Sequence, residues 1–236
     1  MQRLGQTRSA HRHDHMLLTP ETFVRAPLPG MERATAIVHV SPSVGAGFTE
    51  YTAEFESRGR LQPAPEQRFV YVLEGELNVL DHALGPDQYA YIPAGLDVGL
   101  SAAGKSRAVV IEKPYRPLGA LKPPAKFLGN ERTAPPRPLM DDPDLQVRML
   151  LPEDPSFDFA VNTMTFQPGA ALPGVEMHVM EHGLMMLAGG GIYRLGECWY
   201  PVAVGDFIWM APYCPQWFGA IGKTPAKYLI YKDWNR

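Results

Sequence analysis

Short apolar and β-branched runs, each bounded by Gly, Pro or Asp, recur along the whole chain. Patterns with the helical period of about 3.6 residues are hard to find between them. Runs of this length and spacing are typical of an all-β sandwich or barrel. In the first half of the chain they span residues 34–40, 48–55, 68–73, 76–80, 88–92 and 108–112. In the second half they span residues 146–151, 159–166, 183–187, 191–195, 206–210 and 226–231.

The two halves of the chain resemble each other. Residues 73–80 align with residues 187–195, and residues 85–93 align with residues 205–212, so that each half has a Gly-marked hairpin and then a strand that ends at Pro. The simplest account is the tandem duplication of one small β-barrel. The predicted bounds are 1–113 for an N-terminal barrel with an N-terminal arm, 114–145 for a Pro-rich connection, and 146–236 for a C-terminal barrel.

Charge and hydropathy narrow the classes of partner. The chain has 236 residues, a formal net charge of −3 and a pI near 6.2. Binding to nucleic acid requires a concentrated basic surface, so we expect no nucleic-acid partner. No stretch is apolar enough for a signal peptide or a membrane span, so we expect a soluble, cytoplasmic protein without a membrane partner.

The cysteines and the arm histidines give no strong functional signal. Two cysteines, Cys198 and Cys214, are too few for a disulfide framework or a cysteine-based zinc site. We expect both to be buried as small hydrophobic side chains. His11, His13 and His15 alternate near the N-terminus and are interpreted as part of a mobile, solvated terminus, although His15 falls within a family-like segment described below.

A cluster of metal-binding residue types lies in the segment 175–183. Glu176, His178 and His182 all occupy even positions, and side chains two, four or six residues apart project from the same face of a strand. Burying a carboxylate and two imidazoles there unpaired would be costly, and a metal ion removes that cost. We therefore predict a metal site on this face. Glu181 has the opposite parity and is expected to be solvated or on the outside of the barrel.

This segment, a Gly turn and a second motif from Gly205 to Pro212 resemble the two-part signature of the cupin superfamily. The match departs from the common pattern, because Glu176 replaces the usual first His, His182 stands where a Glu is frequent, and Gln216 replaces the His of the second motif. With this altered set the chain is similar to the (S)-ureidoglycine aminohydrolase family, bicupin enzymes of purine (allantoin) catabolism. The resemblance runs essentially end to end, and it is more specific in the second half; it includes Asp14-His-Met-Leu-Leu-Thr-Pro and Tyr231-Lys-Asp-Trp-Asn-Arg.

The resemblance implies a homo-oligomeric, metal-dependent hydrolase that deaminates (S)-ureidoglycine to (S)-ureidoglycolate and ammonia. The implied metal is Mn²⁺, with Fe²⁺ or Ni²⁺ also compatible, and a set of imidazole, carboxylate and amide ligands suits such ions better than a thiolate-preferring ion. A small anionic ureido substrate needs a cation, which Lys232 supplies, while Glu176 serves as metal ligand and proton acceptor; both are implied catalytic residues. The implied metal ligands are Glu176, His178, His182 and Gln216, and the implied substrate contacts are Tyr193, Tyr228 and Lys232.

The first half carries no comparable ligand set. Carrying the ligand positions back along the repeat places Leu61, Pro63 and Gln67 at the first motif. Asp97 alone corresponds to the second motif. The N-terminal barrel is therefore expected to lack a metal ion.

Two other functions are compatible with the same residues. An Fe²⁺-dependent cupin dioxygenase also uses two histidines, a carboxylate and open coordination positions, and it would consume oxygen where a hydrolase would not. A non-enzymatic bicupin would bind a small metabolite or serve as an oligomeric scaffold. It predicts no turnover that replacing Glu176 or His178 could remove.

Overall fold

The computed structural model describes residues 7–234 and confirms the predicted all-β fold. In chain order the strands are β1 (Ala10–His11), β2 (His15–Leu18), β3 (Met31–Val40), β4 (Thr49–Leu61), β5 (Gln67–Glu74), β6 (Leu77–Val79), β7 (His82–Leu84), β8 (Gln88–Ile92), β9 (Leu100–Ala102), β10 (Ser106–Lys113), β11 (Phe127–Asn130), β12 (Arg137–Leu139), β13 (Asp142–Met149), β14 (Phe159–Phe166), β15 (His182–Ala188), β16 (Gly190–Leu195), β17 (Cys198–Ala203), β18 (Phe207–Met210), β19 (Gln216–Ala220) and β20 (Ala226–Asp233). Short 3₁₀ helices cover Pro20–Thr22, Pro42–Val44 and Glu131–Thr133. Within the described part of the chain, no helix is long and apolar enough to cross a membrane.

The chain divides into two compact units. The N-terminal unit comprises residues 24–134 and 154–158. The C-terminal unit comprises residues 135–153 and 159–234, together with the described arm residues 7–23. The arm therefore lies in the unit opposite to the predicted one. The segment 114–145, predicted to be a Pro-rich connection, contains strands of both units. Its strands β11 and β12 lie at the ends of their sheets. A strand flanked by Pro is tolerated there, because an end strand has only one hydrogen-bonding partner.

A single antiparallel sheet forms the N-terminal unit, with strand order β11-β8-β5-β10-β4-β9-β6-β7 and with β3 paired to β4. Its core takes side chains from alternate positions, including Tyr51 and Ala53 on β4 and Val70 and Val72 on β5. This alternation is what a sheet with one face on an apolar core requires.

The C-terminal unit has two sheets that share one core. The larger sheet has the order β1-β2-β18-β15-β20-β14-β13-β12, and the smaller sheet has the order β17-β16-β19. Met164, Leu184 and Tyr228 come from the larger sheet, whereas Tyr193 and Phe218 come from the smaller one. Inner faces of two sheets that interdigitate in this way are typical of a β-sandwich or a jelly roll.

Two equivalent glycines support the predicted internal repeat. Gly75 follows β5 and Gly189 follows β15, and both have positive φ angles, of 73° and 63°. A Cβ atom at Gly75 would lie 2.3 Å from the carbonyl oxygen of Lys105, and one at Gly189 would lie 2.5 Å from that of Pro225. Only glycine fits such a turn, because the left-handed conformation and the close backbone both exclude a side chain.

The N-terminal arm is part of the larger sheet of the C-terminal unit. Its strand β2 pairs with β18, and Leu17 is completely buried. Arg8 forms a two-pronged ion pair with the fully buried carboxylate of Asp206, with Nη2 2.8 Å from Oδ1. His15, which its family-like segment sets apart from a mobile terminus, is buried in β2. The expectation of a mobile terminus is wrong for His11, because β1 pairs it with Met16 of β2. The three-residue span from His11 to His13 is exposed.

A buried carboxyl group in the N-terminal unit makes stability dependent on pH. Glu50 is 1% exposed, its Oε2 has no hydrogen-bond partner within residues 7–234, and burial raises its pKa from 4.5 to about 8. The folded state holds the proton of Glu50 more tightly than the unfolded state does. The contribution of this proton to the free energy of unfolding is therefore complete below about pH 4.5 and is lost as the pH rises through 8. We expect the free energy of unfolding to fall by about 3 kcal/mol between about pH 5 and pH 8 on account of Glu50.

Urea unfolding of the wild type and the Glu50→Gln variant at both pH values measures this effect. The variant should lose that part of the pH dependence, whereas the exposed control Glu56→Gln should keep it. Parallel pH profiles for the wild type and Glu50→Gln would show that the carboxyl group is ionised in the folded protein.

Candidate active site

A cavity of about 480 Å³ lies in the C-terminal unit. Its volume is within the range of about 300 to 1,000 Å³ that is usual for small-molecule sites. The structure brings all of the site residues predicted from the sequence to its wall: Glu176, His178, His182, Tyr193, Gln216, Tyr228 and Lys232. Apolar side chains, including Met149, Met164, Leu172 and Ile230, form much of the remaining wall.

Glu176 and Gln216 are joined through their backbones. The amide of Glu176 donates to the carbonyl of Gln216 at 2.8 Å, and the amide of Gln216 donates back at 2.9 Å. This isolated antiparallel bridge places residues that are 40 positions apart in the sequence directly opposite each other. Gln216 is also the first residue of β19, so its side chain is held by a regular strand.

His178 stands beside Glu176, but not on a regular strand. Its Nε2 lies 3.2 Å from Oε2 of Glu176, and its carbonyl accepts a hydrogen bond of 2.7 Å from the amide of Tyr213. The prediction that Glu176, His178 and His182 share one strand is wrong, because β15 begins only at His182. The expected alternation is nevertheless present over 175–180, where even-numbered side chains are half-buried and odd-numbered ones are exposed.

His182 is the buried member of the pair of histidines. It is 2% exposed, and its ring centroid lies 5.2 Å from that of His178. Burial, with a smaller contribution from the charge of Lys232, lowers its pKa to about 3. The imidazole is therefore neutral at physiological pH, which is the form that binds metal ions.

The expectation that Glu181 is solvated is wrong. The residue is 6% exposed, and its Oε2 accepts a hydrogen bond of 3.0 Å from the indole Nε1 of Trp209. Its carbonyl also accepts a hydrogen bond from the amide of Asp233. Glu181 does not line the cavity. Parity assigned it correctly to a different side from His182, but covering side chains bury that side as well.

Two buried tyrosines line the cavity, Tyr193 and Tyr228. The hydroxyl of Tyr193 donates to Oε1 of Gln216 at 3.1 Å, and that of Tyr228 lies 3.3 Å from the sulfur of Met164. Burial raises the pKa of both phenols well above the usual value, and the charge of Glu176 adds to the effect. Both remain neutral hydrogen-bond donors. The bond from Tyr193 also fixes the amide of Gln216 with its oxygen toward that hydroxyl.

The side chain of Lys232, which carries an ammonium group, lines this cavity. It lies on β20 directly opposite His182 of β15 and is half-buried. Desolvation lowers the pKa of Lys232, and the carboxylate of Glu176 opposes that effect. An ammonium group that is partly stripped of water attracts an anion more strongly than one in bulk solvent.

The donor groups on this wall suit a divalent metal ion. Two imidazoles, one carboxylate and one amide oxygen form a set of nitrogen and oxygen ligands without a thiolate, which favours Mn²⁺ or Fe²⁺. Glu176 contacts His178, the ring of His182 lies beside that of His178, and Gln216 lies across the bridge from Glu176. Glu176, His178, His182 and Gln216 would hold such an ion.

Sequence reasoning missed a buried amide on the same wall. Asn162 is 6% exposed, it lines the cavity, and its Oδ1 has no hydrogen-bond partner in the described part of the chain. It occupies an inward position of β14 between Ala160 and Met164, which also line the cavity. The available signal in the sequence is one amide among the apolar residues Ala160, Met164 and Phe166 on the inward face of β14. A buried polar group without a partner is costly and indicates a role outside packing.

The equivalent positions of the N-terminal unit differ from the predicted alignment. The predicted alignment matches Gln67 with His182, but the side chain of Gln67 donates a hydrogen bond of 2.7 Å to Asp158. Gln67 and the core-facing Val70 are an odd number of residues apart on β5, so their side chains lie on opposite faces of the sheet. The residue of β5 that corresponds to His182 and lies on the same face as Val70 is Arg68, whose Nη2 lies 2.6 Å from the carboxylate of Glu112. A shift of one residue moves every side chain to the other face of a sheet, so a fixed sequence offset compared opposite faces.

The other aligned positions are also accounted for. Leu61 belongs to the apolar core of the N-terminal unit, Pro63 is half-buried, and Asp97 is exposed. Of the two cysteines, Cys214 is buried as expected, whereas Cys198 is only partly buried.

The chain is similar in sequence and in fold to several known proteins. The family model described as a cupin domain matches residues 162–231. The chain is 39% identical over 241 residues to the (S)-ureidoglycine aminohydrolase of Arabidopsis thaliana, covering 98% of this chain and 80% of that protein. It is 30% identical over 231 residues to the (S)-ureidoglycine aminohydrolase of Escherichia coli (strain K12), covering 93% of this chain and 88% of that protein. The crystal structure of protein Ylba from E. coli is similar, with a TM-score of 0.85, 28% identity, and coverage of 98% of this chain and 95% of that one.

Proposed function

Because this chain belongs to the (S)-ureidoglycine aminohydrolase family of cupin proteins, we propose that its cavity deaminates (S)-ureidoglycine hydrolytically. The bond between the central carbon and its amino nitrogen breaks, and a bond from that carbon to a water oxygen forms. The products are (S)-ureidoglycolate and ammonia. The observation that carries the proposal is the convergence of Glu176, His178, His182, Gln216 and Lys232 on one cavity.

The substrate carboxylate would pair with Lys232. Lys232 is only partly buried as a residue, and Glu176 is the carboxylate whose charge acts on its ammonium group, so that group can also pair with a substrate anion. The hydroxyl of Tyr193 donates its proton to Gln216, so it would accept a hydrogen bond from a substrate N–H, whereas the hydroxyl of Tyr228 would turn from the sulfur of Met164 and donate to a substrate oxygen. Contacts from these separate directions would hold one enantiomer in a single orientation.

Glu176 would act as the proton acceptor. Its carboxylate is about one-quarter exposed and faces the cavity beside His178, so one oxygen can accept a proton from water or from the amino group. The backbone bridge to Gln216 keeps the carboxylate in place without using its oxygens. Proton transfer by a positioned carboxylate contributes about 10² to 10⁴ to a rate.

A divalent ion, for which we propose Mn²⁺, would be held by Glu176, His178, His182 and Gln216. Such an ion supplies positive charge that lowers the pKa of bound water and polarises substrate oxygens. His182 is already neutral, so the chain need not lose a proton there to bind it. The bond from Tyr193 to Gln216 Oε1 occupies one lone pair of that oxygen and leaves the other for the ion.

An ammonia-release assay on freshly generated (S)-ureidoglycine tests the proposed function. The protein is assayed as purified, after chelation, and after separate addition of Mn²⁺, Fe²⁺ and Ni²⁺. We expect ammonia to form without oxygen, to disappear on chelation and to return best with Mn²⁺. Turnover that needs oxygen and iron would support a dioxygenase instead, and no turnover under any condition would contradict the proposal.

Replacing Asn162 by leucine should separate activity from stability. The amide is buried with an unpartnered oxygen, so an apolar side chain of similar size should raise the free energy of unfolding by about 1 kcal/mol. If the amide hydrogen-bonds to the ureido group, the same change should lower kcat/KM by about tenfold. Steady-state kinetics and urea unfolding measure the two effects. The control is Met164→Leu on the same face, and equal kinetics for both variants would argue against a role of Asn162 in binding.

A further inference from the structure

A second group of metal-binding side chains lies where the N-terminal arm meets the C-terminal unit. Asp14 and His15 belong to the arm, and Cys214 belongs to the turn after β18. One ligand atom from each lies within 4.8 Å of those of the other two. None of these residues lines the cavity described above. We propose that Asp14, His15 and Cys214 bind a zinc ion that fastens the arm to the turn.

The backbone around these residues holds them together by several hydrogen bonds. The amide of Ala211 donates to the carbonyl of Asp14 at 2.9 Å, and the amide of Cys214 donates to the carbonyl of Ala211 at 3.1 Å. His15 is paired with Met210 in the register of β2 and β18. The three ligand groups are therefore brought together by strand pairing and a tight turn, so little chain entropy is lost when an ion binds.

The ring of His15 has the hydrogen bonding of a metal-binding histidine. Its Nε2 lies 2.9 Å from the hydroxyl of Tyr200, and its Nδ1 lies 2.8 Å from Oδ1 of Asp14. A histidine that binds a metal ion through one nitrogen usually donates a hydrogen bond from the other, which fixes the tautomer and the ring. Tyr200 can accept that bond from Nε2, so Nδ1 is directed at Asp14 and Cys214, where the ion would replace one proton.

The ligand types select zinc rather than the metal proposed for the cavity. A thiolate, an imidazole and a carboxylate are typical zinc ligands, and a thiolate disfavours Mn²⁺. Three protein ligands leave one position of a tetrahedron open. His15 and Cys214 are buried, whereas the side chain of Asp14 is 24% exposed, so water can reach the remaining position from that side.

Such an ion would also order part of the cavity wall. Cys214 precedes Gln216 by two residues, and the carbonyl of the intervening Pro215 accepts a hydrogen bond of 2.8 Å from Gly196. Fixing the thiolate therefore limits the movement of the segment that presents Gln216. Asp14, His15 and Cys214 lie outside the cavity lining and take no part in the proposed reaction.

Cobalt binding provides a direct test, because thiolate–Co²⁺ complexes have an intense charge-transfer absorption in the near ultraviolet. Chelator-treated protein is titrated with Co²⁺. We expect a thiolate band in the wild type and in His178→Ala, and it should saturate at one equivalent per chain in His178→Ala, which weakens the cavity site. The band should persist in Cys198→Ser, the matched control, and be absent from Cys214→Ser. No band in the folded wild type, or a band that depends on Cys198 alone, would overturn the proposal.

Two further variants guard against misfolding of Cys214→Ser. Asp14→Asn changes a partly exposed side chain, and Tyr200→Phe removes only the hydroxyl that contacts His15. We expect Tyr200→Phe to weaken Co²⁺ binding by about 10- to 100-fold. Zn²⁺ should raise the Tm of the wild type and of His178→Ala by about 5 °C. In the His178→Ala background, the additional change Asp14→Asn should abolish that rise. Equal Tm shifts and equal Co²⁺ affinity in all of these variants would contradict the zinc site.

Discussion

The Glu176→Gln variant should release ammonia about 10³-fold more slowly than the wild type while keeping its fold. The substitution preserves shape but removes the negative charge and the proton-accepting oxygen of the side chain. It leaves the backbone bridge to Gln216 intact, because that bridge uses only main-chain atoms. It also weakens the proposed metal site, so the content of Mn²⁺ should fall together with kcat. Steady-state ammonia release, metal analysis and circular dichroism measure the three quantities.

The matched control for this prediction is Glu153→Gln. Glu153 lines the same cavity, but its side chain is 62% exposed and pairs with Arg137 at the surface. Surface ion pairs contribute about 0 to 1 kcal/mol, so this variant should keep kcat within about fivefold of the wild type. Activity of Glu176→Gln within tenfold of the wild type, in a protein that retains its metal ion, would show that Glu176 is not the proton acceptor.

The Lys232→Met variant should lose about 10² to 10³ in kcat/KM for (S)-ureidoglycine. Truncating one member of a desolvated charge pair costs about 2 to 5 kcal/mol of binding, and each 1.4 kcal/mol is about tenfold. Stability should not fall, because desolvation already lowers the pKa of Lys232 and an apolar chain removes that cost. Inhibition by the product (S)-ureidoglycolate, which retains the carboxylate, should weaken by a similar factor.

The control for Lys232 is Lys227→Met. Lys227 lies on the same strand β20 but does not line the cavity. Its replacement should change kcat/KM by less than about twofold, because the charge lies outside the site. The content of Mn²⁺ should be unchanged in both variants, since a lysine ammonium has no free lone pair for a metal ion. A loss of metal in Lys232→Met would assign the residue to the metal site rather than to the substrate.

Periodicity predicted the strands that carry most of the core. The predicted runs correspond to β3, β4, β5, β6, β8, β10, β13, β14, β15, β16, β18 and β20. The strands that were not predicted are mostly short or lie at sheet ends, such as Ala10–His11, His82–Leu84 and Arg137–Leu139. Strands of two or three residues show no alternation, and only their partners define them.

Local chemistry also predicted the residues of the cavity. Glu176, His178 and His182 were identified by type and spacing, and family resemblance added Gln216 and Lys232; the structure brings all of them to one wall. Their roles as ligands and substrate contacts remain predictions that the variants above test. The idea of one shared strand was wrong, because side-chain alternation needs only an extended backbone and not a hydrogen-bonded ladder.

The sequence by itself determined the all-β class, the internal repeat and the residue types of the cavity, because alternation, turn glycines and ligand chemistry are local properties. Tertiary structure alone decided which distant residues meet. It placed Gln216 across from Glu176, joined the arm residue Asp14 to Cys214, and left the amide of Asn162 without a partner. The physical reason is strand register, since a shift of one residue exchanges the two faces of a sheet and no local pattern specifies the pairing of distant strands.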